Sequence, residues 1–270
     1  MRPCSGFSPG PDVPIDPGAR IGAVHLKVAD LDRLAAFYQA CLGLELRARE
    51  TTTARLGTES AELLVLHEDR AARRVTGTTG LYHFAILVPS RPDLARALKR
   101  LVDTSTRLQG AADHGVSEAL YLADPEGNGI EIYRDRPRVE WPFVAGRLQM
   151  TTEPLDVQGL IAEADAAGEW MAAGTTIGHV HLCVSDLAAT EQFYAETLGF
   201  DLTQRFGQSA AFFSAGGYHH HIGANIWTSA GAPAPPPDAL GLDHFEIVVS
   251  VPMSPLKDPS GNAMRFVARA

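Results

Sequence analysis

Ten histidines are spread through this 270-residue chain, several of them on short apolar segments that alternate as strands do. Neutral imidazoles and carboxylates are the usual protein ligands of a divalent metal. Two histidines and one carboxylate on one face, with other positions left open, suit an iron that must hold dioxygen beside a substrate. In GGYHHHIG successive strand side chains face opposite ways, so His220 points to one side and His219 and His221 to the other. In IGAVH, His25 shares a face with Ala23 but is displaced by two residue rises, roughly 6–7 Å. His114, in DHGVSEALYL, and Tyr218 are candidates for proton transfer, since a histidine that titrates near neutrality can take a proton from a bound substrate.

The elements that must carry these residues come from an internal duplication. IGAVHLKVADLDRLAAFYQACLGLEL, from Ile21, recurs without a gap as IGHVHLCVSDLAATEQFYAETLGFDL, from Ile177. Each copy reads as a short strand, a capping Asp (Asp30, Asp186), a helix with an apolar face, and a Gly that ends it (Gly43, Gly199). Tyr38 and Tyr194 lie on those apolar faces and read as packing residues. GLYHFAILV from Gly80 matches GLDHFEIVV from Gly241, and DPEGNGIEIY from Asp124 matches DPSGNAMRFV from Asp258, each a turn followed by a strand. Four units result, at 20–76, 79–135, 176–229 and 240–270. The fourth is short: it lacks a counterpart of the helix DLARALKRLVD. Either the helix was lost or residues are missing near Ser250, and the second is expected, because the strand otherwise leaves one side of its sheet uncovered.

Paired units opening IGxVxLxVxDLxxxxxFYxxxLGF and closing DPxGNxIE resemble the vicinal oxygen chelate superfamily, which includes glyoxalase I, bleomycin-resistance proteins and type I extradiol dioxygenases. GLYHFAIL, HGVSEALYL and GGYHHHIG are similar to its two-domain catechol 2,3-dioxygenase-like branch. The resemblance implies an α+β fold of tandem βαβββ modules, four modules forming two vicinal-oxygen-chelate domains, each curled into a cup around a divalent metal. The expected division is an extended or disordered segment 1–19, a domain 20–135, a connector 136–175 and a domain 176–270. Family ligand positions match His179 on the first strand of the second domain, where the first domain has Ala23. They match His83 and His244 on the opening strands of the paired units, and Glu131 on a closing strand, where the second domain has Arg265. Neither domain then holds a full set. His220, aligned with Glu131 through its glycine turn, is expected to complete a site with His179 and His244. Arg265 would repel a metal and instead suits an anionic substrate oxygen. His25 and His181 read as core or surface residues.

Composition narrows the function classes. Lys and Arg number 23 against 32 Asp and Glu, a net charge of −9 with no basic cluster, which excludes nucleic acid as the expected partner. Three scattered cysteines give no disulfide framework and read as inert thiols of a reducing compartment. No apolar run reaches membrane-spanning length, so a cytoplasmic protein is expected, with a homodimer open to it. The leading expectation is an extradiol-type, catechol 2,3-dioxygenase-like enzyme that uses Fe(II) to cleave a small aromatic vicinal diol. The alternatives are a glyoxalase-like lyase or isomerase, with Zn, Ni or Mn as the other metals, and a non-catalytic protein that binds a drug or natural product. The incomplete ligand sets favour that last reading.

Overall fold

Each copy of the repeat opens with an alternating strand, and the computed structural model, which describes residues 14–165 and 170–269, shows where that alternation leads. The first module holds β1 (Arg20–Val28), α1 (Leu31–Phe37), β2 (Glu45–Arg49), β3 (Thr53–Gly57) and β4 (Glu62–Glu68). The second holds β5 (Gly80–Leu87), α2 (Arg91–Asp103), β6 (Leu108–Asp113), β7 (Ser117–Ala123) and β8 (Gly129–Asp135). The connector carries three two-residue strands, β9 (Phe143–Val144), β10 (Arg147–Leu148) and β11 (Glu153–Pro154), and helix α3 (Val157–Ala162). In the third module lie β12 (Thr176–Cys183), α4 (Leu187–Glu191), β13 (Asp201–Phe206), β14 (Ala210–Ser214) and β15 (Ile222–Asn225). In the fourth lie β16 (Gly241–Val249), β17 (Leu256–Lys257) and β18 (Ala263–Ala268).

The caps are where the sequence put them. Asp30 accepts from the Arg33 amide at 3.0 Å and Asp186 from the Ala189 amide at 2.8 Å. Each helix then widens into a π turn, at Tyr38–Leu42 and Gln192–Thr197. Tyr38 and Tyr194 are fully buried there, and their hydroxyls donate to Asp124 (2.8 Å) and Asp258 (3.2 Å), the first residues of the two DPxGN turns. The packing tyrosines thus also tie each helix to the turn of another module.

Strand pairing does not follow the sequence copies. One sheet runs β17-β18-β16-β1-β4-β3-β2 and the other β11-β6-β7-β8-β5-β12-β15-β14-β13. The first module therefore shares a sheet with the fourth, and the second with the third. The central pairs are antiparallel, β1 with β16 and β12 with β5. The long connector lets β12 lie beside β5 instead of founding a separate sheet. Sheet-forming units are thus not the segments 20–135 and 176–270 expected from the duplication.

One apolar core joins the two sheets. It takes Val24, Leu26 and Val28 from β1, Val180 and Leu182 from β12, Phe84 and Ile86 from β5, and Phe245 and Ile247 from β16, with Leu31, Leu34, Leu94 and Leu98 of the helices packed on them. The intervening residues of the same strands face away from that core, and the histidines are among them. Beneath the connector, Leu155 and Leu160 are buried in the same core, while residues 166–169 lie outside the described residues.

β16 runs through 250–255 directly into the two-residue β17, with no helix between them. The fourth module is simply short, and Val251 and Met253 stand exposed where a helix would pack. The N-terminal segment is ordered from Ile15 on: Ile15 is buried, with its amide bonded to the Gly199 carbonyl at 3.1 Å, and Asp16 accepts from the Ser250 amide at 2.6 Å. Residues 1–13, including Cys4, lie outside the described residues; Cys41 and Cys183 are free and half-buried. Among the described residues no helix is long and apolar enough to cross a membrane.

Candidate metal centre

The second and third modules complete between them the set that neither sequence copy holds. Across three neighbouring strands, Glu131 on β8 is in register with Ala85 on β5, and Ala85 with His179 on β12. His83, two residues before Ala85 on the same face of β5, pairs with His181. The vacancy at Ala85 lets the longer side chains on either side converge. His83 Nε2 lies 2.9 Å and His179 Nε2 3.1 Å from the same carboxylate oxygen, Glu131 Oε2. One donor atom from each residue falls within 4.8 Å of the others, and all three residues are buried.

His179 owes its aim to a bulge. The β12–β5 register shifts between Ile177 and His179, so Ile177 can enter the core while His179 turns to the opposite face. Gly178 sits in that shift, and a Cβ there would lie 1.7 Å from the Tyr133 hydroxyl oxygen, so the backbone approach requires glycine.

The three residues form the wall of a cavity of about 420 Å³, a size proper to a small-molecule site. Tyr82, Tyr121, Phe212 and Trp227 give it aromatic faces, and His181, His220 and His114 also line it. Burial holds the His179 imidazole down at about 4, against the pull of Glu131, and pushes His181 and His220 well below their usual value. Burial alone would raise Glu131, but the charge and hydrogen bonds of His179 and His83 outweigh it and keep the carboxyl well below the usual range. At neutral pH the cluster therefore offers a neutral imidazole and an ionised carboxylate, the protonation states a divalent metal needs. His83 Nε2 and His179 Nε2 thus converge on one carboxylate oxygen, the juxtaposition of two imidazole nitrogens and a carboxylate that a divalent ion uses. The residues fit a divalent ion of the iron class.

These shifts fix an acid limit for the metal-free protein. Between about pH 6.5 and 4 an unfolded His179 binds a proton that the folded one does not, so stability is fully present above that window and is lost as pH falls through it. His179 alone accounts for on the order of 3 kcal/mol, and His181, His220 and His221 act in the same sense. Urea titrations of metal-stripped protein are expected to show the midpoint dropping steeply across this window and flat from pH 7 to 8. A midpoint unchanged at pH 4.5 would contradict the burial of neutral imidazoles.

Two hydrogen-bond chains reach the cavity. Asp135 Oδ1 accepts from His219 Nε2 at 2.8 Å, which leaves His219 Nδ1 to accept from His220 Nδ1, also at 2.8 Å. That assignment places a bare lone pair on the His220 Nε2. On the opposite wall the Thr151 carbonyl accepts from His114 Nδ1 at 2.7 Å, so His114 Nε2 accepts from the Tyr121 hydroxyl at 2.6 Å. Tyr121 in turn pairs with Glu131 across β7 and β8.

The expected site of His179, His220 and His244 is not formed. His244 belongs to the other sheet, paired with His25, because the fourth module joins the first. His220 packs its ring 4.1 Å from that of His179 but is no part of the ligand cluster. Register explains why: Val180 pairs with Ile222 as Phe84 pairs with Ile130, so the place of Glu131 falls to Gly223, three residues beyond His220. The run 219–221 precedes β15, although His220 alone of the three lines the cavity, as alternation predicts. Tyr218 turns away after Gly216 and Gly217, both at positive φ, and bonds Tyr133 (2.8 Å) and Asp135 (3.1 Å) behind the site. Arg265 is exposed in the other cup. His181, read as a core or surface residue, lines the cavity with its Nε2 unpartnered. Tyr121 was missed, yet a hairpin centred on Glu126 of DPEGN brings it opposite Glu131, which the sequence could have shown.

The relatives agree with this architecture. The model of the Glyoxalase/Bleomycin resistance protein/Dioxygenase superfamily matches residues 20–132 and 176–251. A catechol-2,3-dioxygenase of Bacillus subtilis is 44% identical over 235 residues, covering 85% of this chain and 82% of its own. Among solved structures, a Bacillus subtilis protein assigned as a dioxygenase superposes with a TM-score of 0.62 at 14% identity, over 95% of this chain and 86% of that one. Glyoxalase I of Zea mays superposes at 0.57 and 16% identity, over 93% and 92%. These two share the fold. With the family model covering most of the chain and a relative at that identity along nearly its whole length, the chain belongs to the glyoxalase/bleomycin resistance protein/dioxygenase superfamily, in its two-domain catechol 2,3-dioxygenase-like branch.

Proposed function

We propose that this protein is a metal-dependent extradiol dioxygenase that cleaves the ring of a small aromatic vicinal diol, with Fe(II) held by His83, His179 and Glu131. The observation that carries this reading is the two-histidine, one-carboxylate set at the wall of an aromatic-faced cavity. Held by these three residues, the iron would supply the redox chemistry of oxygen activation. Tyr82, Phe212 and Trp227 would hold a flat ring, and the 44% identical relative is itself a catechol dioxygenase.

The chain's own residues provide for proton movement. His220, held through His219 by Asp135, presents a lone pair to the cavity and would take the diol proton. The Tyr121 hydroxyl, whose own titration burial and the Glu131 charge push well above the usual range, stays protonated and donates to His114 at the half-exposed rim. Substituting His220→Gln should lower kcat by about a hundredfold or more with the iron content unchanged. Loss of iron together with activity would instead make His220 a ligand.

The reading is tested by loading the protein with Fe(II) under anaerobic conditions and measuring oxygen uptake with catechol and substituted catechols while following the yellow ring-cleavage product. Uptake matched by product is expected. Iron bound without uptake on any diol would contradict an oxygenase, and turnover of a hemithioacetal with Zn or Ni would move the assignment to a lyase.

A further inference from the structure

The cup formed by the first and fourth modules repeats the working one row by row, with the residues exchanged. Where β8, β5 and β12 carry Glu131, Ala85 and His179, the corresponding strands β18, β16 and β1 carry Arg265, Glu246 and Ala23. The carboxylate has moved one strand inward. In the next row His244 faces His25 as His83 faces His181. Family ligand positions are therefore abolished at Ala23 and Arg265, yet a two-histidine, one-carboxylate group is rebuilt from shifted positions.

Both imidazoles of this group are held by hydrogen bonds on one nitrogen, which leaves the other nitrogen of each free. His244 Nδ1 donates to Asp243 Oδ2 at 2.6 Å, and His25 Nδ1 is bonded to His67 Nε2 at 3.0 Å. Both rings are thereby fixed from outside, stacked with centroids 3.9 Å apart. Their remaining nitrogens, His25 Nε2 and His244 Nε2, are buried and have no hydrogen-bond partner. His25 Nε2 lies 3.5 Å from Glu246 Oε1, and one donor atom from each of the three residues falls within 4.8 Å of the others. Gly22, counterpart of Gly178, makes room: a Cβ there would come within 2.8 Å of the Glu246 Cβ. An outer carboxylate or imidazole on the far nitrogen of a histidine is the arrangement that orients metal ligands, while two buried bare nitrogens serve no purpose in packing and cost stability.

From this juxtaposition we infer that His25, His244 and Glu246 form a second binding site for a divalent transition-metal ion, separate from the centre in the other cup. Two imidazoles and a carboxylate suit Zn(II) and its neighbours. His244 lines a cavity of about 860 Å³ together with Lys27, Glu126, Asp243 and Arg265, so an open coordination position on this ion would face a polar cavity of mixed charge. Arg265, exposed, is screened by solvent and does not bar the cation.

The test is stoichiometry, independent of turnover. Chelator-stripped full-length protein is titrated with Zn(II) by calorimetry and with Co(II) by visible absorption. Two equivalents are expected, falling to one in Glu246→Gln and to one in Glu131→Gln, and to none in the double variant. Glu246 is half-buried and Gln is isosteric, so folding should persist, with circular dichroism as the check; His244→Ala should lose the same equivalent. A wild-type protein that binds a single ion lost with Glu131→Gln, or two ions both retained in Glu246→Gln, overturns the second site. A single ion lost with Glu246→Gln upholds it and removes the other centre instead, so the two assignments fail separately.

Discussion

Substituting Glu131→Gln is expected to reduce oxygen uptake by about a thousandfold or more while leaving the metal-free protein as stable as before to within about 1 kcal/mol. Glu131 is 2% exposed and shares one oxygen with two histidines. The ionised carboxylate loses its hydration there and is compensated in the metal-free protein by hydrogen bonds from the two imidazoles, which an amide oxygen in the same place also accepts. The amide keeps the shape and can still donate to or accept from the imidazoles, but it cannot neutralise a divalent ion. Metal affinity should therefore fall along with turnover. If the variant unfolded while retaining its metal, Glu131 would be a structural residue and the centre would lie elsewhere.

The second large effect is expected at Gly178. A methyl group there would lie 1.7 Å from the Tyr133 hydroxyl oxygen and 2.7 Å from the ring carbon that bears it, so either β12 lifts away from its neighbours or Tyr133 leaves its place. Gly178→Ala should cost about 3 kcal/mol, at the upper end of overpacking in a tight core. Because Gly178 lies in the bulge that aims His179, iron affinity should fall as well. Tyr133→Phe removes the nearest clashing atom. Combined with Gly178→Ala it should recover part of the lost stability, a non-additivity that a double-mutant cycle in urea would measure. Full additivity would mean that the glycine is needed for some other reason than Tyr133.

Much of this was legible beforehand, because the signals are local. The capping aspartates, helix-ending glycines and DPxGN turns each act within a few residues, and the structure has them in place at Asp30, Asp186, Gly43, Gly199, Asp124 and Asp258. His83, Glu131 and His179 were each singled out from the chain, but not as one set. What brings them together is the choice of β12 as the neighbour of β5, where the duplication's scheme would place β1, a pairing between strands about a hundred residues apart. Both strands are apolar on one face and carry His on the other, so no pattern along the chain distinguishes the two pairings. The same ambiguity hid the meaning of His25, which has a partner in His244 only because the first module meets the fourth. His220 was misplaced for a different reason: aligning glycine turns ignores the strand register, and the register puts Gly223 opposite the ligand row.

Oxygen uptake by iron-loaded His179→Ala with catechol puts the central claim to its most direct test, because this residue lies in the other copy of the duplication from His83 and Glu131. An active centre built across the copies predicts that uptake and ring-cleavage product are both lost, as in Glu131→Gln. Turnover that survived in His179→Ala and failed only on changes at His83 and Glu131 would contradict it, and would return the active centre to a single copy.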